Sequence, residues 1–76
     1  MTDARKHRIE VLTTGPVLRT WHGCVERVRH LSLADRWLLC YHYGCDPEYL
    51  HEVLWRLHCI ERALRAALRN GLTTAR

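Results

Sequence analysis

Five cysteine and histidine residues are spaced so that two neighbouring helices would bring them together around a metal ion. They are His22, Cys24, Cys40, His42 and Cys45. If the segments flanking Ser32 form an antiparallel helical hairpin, Cys24 lies level with Cys40 and His22 with His42, which is a donor set suited to zinc. Cys24 and Cys40 share an apolar stripe, however, and the two histidines point roughly 100° away from it. Two adjacent core thiols are therefore the simpler expectation.

Disulfide and catalytic chemistry fit these residues less well. Packed helix axes stand about 8–10 Å apart, whereas the Cα atoms of a disulfide lie within ~7 Å. Nucleophilic catalysis needs a thiol, a nearby imidazole and an orienting group, and three helices leave little room for a substrate cavity. The chain also has no glycine-rich phosphate loop. We expect a protein that is not an enzyme and has no metal or cofactor.

Composition narrows the class of protein and of partner. The chain has 76 residues, 47% of them apolar, which predicts one folded domain. It has no long apolar run and no apolar segment near the N-terminus, so we expect no membrane span and a cytoplasmic location. The net charge is +4, with eleven arginines against one lysine. This bias favours an anionic partner, although the codons of a GC-rich genome also explain it.

Periodicity and turn signals predict an all-α, three-helix domain. Residues 1–15 read as a basic N-terminal arm, either a short helix or an extended segment, that ends in the turn signal Thr-Thr-Gly-Pro. Residues 16–71 form the helical domain, and residues 72–76 a flexible tail. The first helix follows Pro16; the second starts at Leu33, capped by Ser32, and ends at Gly44. That second helix is apolar on nearly every side, which is typical of a buried central helix.

The third predicted helix, residues 46–71, is long for so small a domain. Pro47 takes its first position and Asn70-Gly71 is its stop signal. It would reach about 35 Å, roughly twice the length of the second helix. Its apolar residues alternate at spacings of three and four, as in a coiled coil. The overhang predicts a two-fold homodimer in which core and dimer contacts come from this stripe: Leu50, Val53, Leu57, Ile60 and Leu64.

Opposite that stripe, the same helix carries an aromatic and basic face, which is the predicted contact site for a nucleic acid or protein partner. Its members are Trp55, His58, Arg62, Arg65 and Arg69. Arginines interleaved with an exposed tryptophan can hold phosphates or an acidic protein surface. Two alternatives remain open. In the first, the face is a solvated charged surface and the contact lies elsewhere, in the arm at Arg5, Lys6 and Arg8. In the second, Trp55 is covered by residues 1–14.

The segment "LSLADRWLLCYHYGCDPEYLHEVLWRLHCIERALRAAL", residues 31–68, resembles the helix-turn-helix of phage late-gene antitermination proteins, the antiterminator Q group. It is also similar to the DNA-binding region four of bacterial sigma factors. The shared features are an L-x-x-x-[DE]-R start, an apolar run into Tyr-x-Tyr-Gly, and a later "ERALRAAL" helix. Where the family has a turn between its last two helices, this chain reads "LWRLHC", which favours continuous helix.

The resemblance implies a small phage or mobile-element regulator that binds promoter DNA or RNA polymerase, with Arg62, Arg65 and Arg69 facing DNA. The alternative is a protein-only inhibitor of a host complex, an anti-defence or anti-signalling protein acting through the same basic helical face. Under both hypotheses the protein functions by binding rather than by catalysis.

Overall fold

A computed structural model describes the backbone of residues 3–74 and the side chains of residues 3–71, and it is helical throughout. The α-helices are α1 (Asp3–Leu12), α2 (Trp21–Arg29), α3 (Leu33–Tyr43) and α4 (Leu50–Thr74), with 3₁₀ turns at Pro16–Arg19 and Pro47–Tyr49. The predicted all-α class is confirmed, but the described part of the chain has four α-helices rather than three, because the N-terminal segment is itself a helix. None of the four is long and apolar enough to cross a membrane.

Thr20 divides the predicted first helix into the 3₁₀ turn Pro16–Arg19 and α2. Its backbone is extended, and its hydroxyl accepts a hydrogen bond from the Gly23 amide at 2.9 Å, which starts α2. Gly23 lies directly against the 3₁₀ turn, since a Cβ atom on this residue would stand 1.6 Å from the carbonyl oxygen of Val17. This close approach packs the turn onto the backbone of α2.

The bounds of α3 agree with the sequence, and those of α4 differ from it. The Ser32 hydroxyl accepts from the Asp35 amide at 3.1 Å, and Gly44 closes α3 with φ 64°. By contrast, α4 begins at Leu50, after the 3₁₀ turn that contains Pro47. It also continues past the predicted stop at residues 70–71 as far as Thr74. Residues 75–76 of the predicted tail lie outside the described part of the chain.

The core draws side chains from every helix. Helix α1 contributes Ile9 and Leu12, which are 7% and 6% exposed, so the predicted arm takes part in the core through α1. Helix α4 contributes Leu50 and Leu54. The complete set of buried apolar side chains in the described region is Ile9, Leu12, Leu18, Cys24, Val28, Leu39, Cys40, Leu50 and Leu54.

Helix α3 is not the buried central helix that its composition suggests. Leu39 and Cys40 are buried, but Trp37 and Tyr41 on another side of α3 are 56% and 88% exposed. The prediction is wrong because α2 and α4 pack most extensively on each other, and α3 lies beside them with one face covered. Large apolar side chains exposed side by side on a small protein are typical of a contact site.

Two arginines join the helices. The Arg8 guanidinium of α1 donates two hydrogen bonds to the Asp35 carboxylate of α3, at 3.1 and 2.6 Å. Arg27 of α2 donates to the carbonyl oxygen of Leu12 at 2.7 Å and to that of Thr14 at 3.3 Å. Arg27 therefore holds the C-terminal end of α1 and the turn that follows it.

Candidate functional site

A cleft of about 290 Å³ separates the segment 13–19 from the middle of α4. We call it the basic cleft, because Arg19 on one side and Arg62 and Arg65 on the other line it, with Glu61 as the acidic member. The complete lining is Thr13, Thr14, Gly15, Pro16, Leu18, Arg19, Leu54, Leu57, His58, Glu61, Arg62 and Arg65. Three guanidinium groups against one carboxylate give the cleft a positive character.

Local hydrogen bonds hold the first wall of the basic cleft. The hydroxyls of Thr13 and Thr14 each donate at 2.8 Å to a carbonyl oxygen one turn earlier in α1, those of Ile9 and Glu10. Gly15 then has φ 114°, a conformation that side chains disfavour. Together with the Arg27 hydrogen bonds, these contacts fix the path of the turn that carries Arg19.

Helix α4 supplies the second wall. His58, Arg62 and Arg65 follow one another at intervals of four and three residues, so they share one side of the helix. Arg65 forms an ion pair with Glu61 at 2.5 Å. Both partners of this ion pair line the cleft. Arg19 and Arg62 are thus the cations of the cleft that are best placed to meet an external anion.

His58 brings a buried polar atom to the same wall. Its Nε2 atom is shielded from solvent and has no hydrogen-bond partner among the described residues. Its ring lies 5.7 Å from the Trp55 ring, centroid to centroid. A buried polar atom without a partner costs roughly 1–3 kcal/mol.

Trp55 lies behind the basic cleft and packs against the core. It is half-buried, and Trp21 of α2 meets it edge to face, with ring centroids 6.3 Å apart. Trp21 also contacts His51, at 5.0 Å between centroids. The expectation of an open tryptophan is therefore corrected: Trp55 is half-buried, and Trp21 of α2 packs against it. The side of α4 that faces the core therefore lies between the predicted leucine stripe and the predicted aromatic face, and it includes residues of both.

The structure brings together three of the five predicted contact residues. His58, Arg62 and Arg65 line the basic cleft, Trp55 supports it from behind, and the exposed Arg69 lies outside it. Sequence reasoning missed Arg19, whose 3₁₀ turn faces α4. The Thr-Thr-Gly-Pro signal marks a turn there, but a turn signal does not say which helix the turn will face.

The predicted stripe for core and dimer contacts divides along α4. Leu50 is fully buried and Val53 half-buried, whereas Leu57, Ile60 and Leu64 are 39%, 56% and 59% exposed. Leu54, which lies beside the stripe, is in the core instead. The N-terminal part of the stripe thus belongs to the fold, and its C-terminal part is open.

Of the three cysteines selected as possible metal ligands, Cys24 and Cys40 are core thiols and Cys45 is half-buried. Cys24 and Cys40 are 0% and 4% exposed, and burial raises the pKa of both. The Cys24 thiol donates to the Leu18 carbonyl oxygen at 3.5 Å. Among the residues that the structure describes, no three histidine, cysteine or acidic side chains are grouped to hold a metal ion.

Comparison of the chain with protein-family models, curated proteins and solved structures found no match. The resemblance to antiterminators and sigma factors therefore stays a prediction. At residues 54–59, where that family has its turn, α4 is continuous, as the sequence of this interval favours.

Proposed function

We propose that the protein acts by binding, and that its basic cleft holds the phosphate backbone of a nucleic acid in the regulation of bacterial transcription. The observation that supports this proposal is the convergence of Arg19, Arg62 and Arg65 on one cleft. These groups come from two elements that are distant in the chain. Each guanidinium group can donate hydrogen bonds to phosphate oxygens.

The size of the basic cleft favours a group presented by a larger molecule. Pockets that enclose small molecules occupy ~300–1,000 Å³, and this one, at about 290 Å³, lies at the lower limit. A phosphate on the outside of a duplex or single strand needs only a shallow cationic recess. The volume thus supports a binding role over the enclosure of a substrate for catalysis.

The proposed role in transcription rests on the sequence resemblance, which associates residues 31–68 with promoter DNA and RNA polymerase. An acidic protein surface presents carboxylates that the same arginines could also bind. The phosphate backbone is the stronger candidate, because Arg19 and Arg62 lie on opposite walls of one recess. The alternative is that the cleft binds a host protein and no nucleic acid, and the test below distinguishes the two partners.

We also propose that the chain forms a homodimer through α4. Leu57, Ile60 and Leu64 continue the heptad spacing beyond the core and are exposed in the single chain. Leu68, on the same side, is 67% exposed. Burying such a row on a second copy removes apolar surface from water, which is the main favourable term in association.

The binding test compares arginines inside and outside the basic cleft. Fluorescence anisotropy with a labelled DNA duplex and a labelled single strand measures affinity over a range of salt concentrations. Arg62→Ala and Arg19→Ala should each weaken binding about five- to tenfold, and each should lower the salt slope by about one unit per lost phosphate contact. Arg56→Ala is the matched control. This substitution removes the same charge from α4, but Arg56 does not line the cleft.

Equal losses for Arg56→Ala and Arg62→Ala would contradict a defined site and indicate diffuse charge attraction. If neither oligonucleotide binds, capture from a bacterial lysate with and without nuclease identifies the partner class. A protein retained by the wild type after nuclease treatment, and lost with Arg62→Ala, would replace the nucleic-acid proposal with the protein alternative.

A further inference from the structure

Two helices of this protein carry exposed apolar ridges with identical spacing. The α3 ridge consists of Leu33, Trp37 and Tyr41, which are 71%, 56% and 88% exposed. The α4 ridge consists of Ile60, Leu64 and Leu68, which are 56%, 59% and 67% exposed. Both follow the i, i+4, i+8 rows that make the ridges of a helix surface. Their exposure shows that neither ridge is covered within its own chain.

Each ridge runs beside small residues. On α3, Trp37 and Tyr41 line one side of a groove of about 720 Å³ between α1 and α3, and the rest of its lining is Ala4, Ala34, Leu38 and the charged Arg5 and Asp35. The α4 ridge borders the row Ala63, Ala67 and Gly71, all exposed. A Cβ atom added to Gly71 would meet nothing within 4 Å. A bulky row next to a small row is the shape in which the ridge of one helix enters the groove of another.

We propose that the α4 ridge of one copy packs into the groove beside the α3 ridge of a second copy, and that the second copy returns the same contact. In this arrangement Trp37 and Tyr41 lie over Ala63 and Ala67 of the other chain. The two contacts are related by a two-fold axis, so the assembly closes as a dimer. The proposal rests on the self-association through α4 proposed above, and it names the surface that receives α4.

The available area supports a second copy paired in this way. The three side chains of the α4 ridge alone would bury roughly 300 Å² per chain, or ~600 Å² in total, whereas a stable specific interface needs about 1,200 Å² or more. Adding the α3 ridge contributes two aromatic side chains that can each bury on the order of 150 Å². The combined surface reaches the usual size, and it places Trp and Tyr, the residues enriched at interface centres, in the contact.

Sedimentation of mixed variants separates this pairing from a contact of α4 with α4. Tyr41→Glu damages the α3 ridge, and Leu64→Glu damages the α4 ridge; both side chains are exposed, so the fold should persist, which circular dichroism checks. Each variant alone should dissociate at least about tenfold more readily than the wild type, because both contacts of its dimer are damaged. An equimolar mixture should associate more tightly than either variant alone, since one of the two contacts of the heterodimer is intact. Val17→Glu, exposed but outside both ridges, should behave as the wild type.

The outcomes are distinct. If Tyr41→Glu dimerises as the wild type does while Leu64→Glu is monomeric, α4 pairs with α4; self-association holds and the α3 contact is wrong. A mixture that associates no more tightly than either variant alone also overturns the reciprocal contact. A wild-type chain that stays monomeric at high micromolar concentration overturns self-association itself. Trp37→Glu serves as a second α3 variant should Tyr41→Glu lose helicity.

Discussion

Trp21 meets Trp55 edge to face, with ring centroids 6.3 Å apart and ring planes at 87°. This pair connects α2 to α4 immediately behind the basic cleft. Trp55 also lies 5.7 Å from His58, so the residue that supports the fold also positions a side chain of the cleft. Substitutions of Trp55 therefore report on stability first and on binding only indirectly. Arg19 and Arg62, at the cleft surface, are the better probes of function.

The first prediction concerns this aromatic pair. Trp55→Ala should lower the free energy of unfolding by about 2–3 kcal/mol, less than for a fully buried tryptophan, because part of its ring is exposed. A double-mutant cycle with Trp21→Ala should give a coupling free energy of about 0.5–1.5 kcal/mol. Urea unfolding followed by circular dichroism measures both. A loss below ~0.5 kcal/mol for Trp55→Ala would show that the ring is a surface group.

Gly23 and Gly71 provide a matched pair of glycine substitutions, both within helices. Gly23→Ala should destabilise the protein by about 3 kcal/mol or more, because its Cβ atom would overlap the Val17 carbonyl oxygen at 1.6 Å. Gly71→Ala should stabilise α4 by up to ~1 kcal/mol, since the added methyl group meets no neighbour and alanine favours helix. Thermal melts of the two variants should shift in opposite directions. A neutral Gly23→Ala would contradict the packing of the 3₁₀ turn on α2.

Arg27 should be replaceable by lysine only at a cost. Its guanidinium reaches the carbonyl oxygens of Leu12 and Thr14 together, whereas one ammonium group of lysine has a different reach and shape. We expect Arg27→Lys to lower the free energy of unfolding by about 1–2 kcal/mol. Amide hydrogen exchange should accelerate at the C-terminal end of α1. Unchanged protection there would show that the turn holds its shape without Arg27.

The link between Arg8 and Asp35 predicts a specific dependence of stability on pH. Hydrogen bonds from Arg8 lower the pKa of the Asp35 carboxyl below its ordinary value, and the charge of Arg8 acts in the same direction. A carboxyl group whose pKa is depressed in the folded state stabilises the protein above its unfolded pKa, and this contribution is lost as pH falls through the folded pKa.

Asp35→Asn should therefore be less stable than the wild type by a constant margin from neutral pH down to about pH 5. That margin should shrink as pH falls through about 4 and below, where the wild-type carboxyl becomes protonated. Melting temperatures of the two proteins across this range provide the measurement. A margin that persists unchanged at the lowest pH would assign the effect of the substitution to something other than the charge of Asp35.

Local signals in the sequence determined where α3 begins and ends, and which residues share one side of α4. Ser32 and Gly44 act through hydrogen bonds and backbone angles within a few residues, so their roles can be read without knowing the fold. The period of a helix likewise places His58, Arg62 and Arg65 on one side whatever surrounds them. These parts of the prediction needed only the chain itself.

Tertiary structure decided which of those sides is covered. Periodicity shows that side chains share a face, but burial depends on where the neighbouring helix lies, and that is set by the packing of the whole core. For this reason Trp55 is half-buried against Trp21, and Trp37 is exposed on a helix whose composition indicates burial. Arg19 joins the basic cleft because the turn after α1 folds back against α4. That contact joins residues some forty positions apart, and no local pattern carries it.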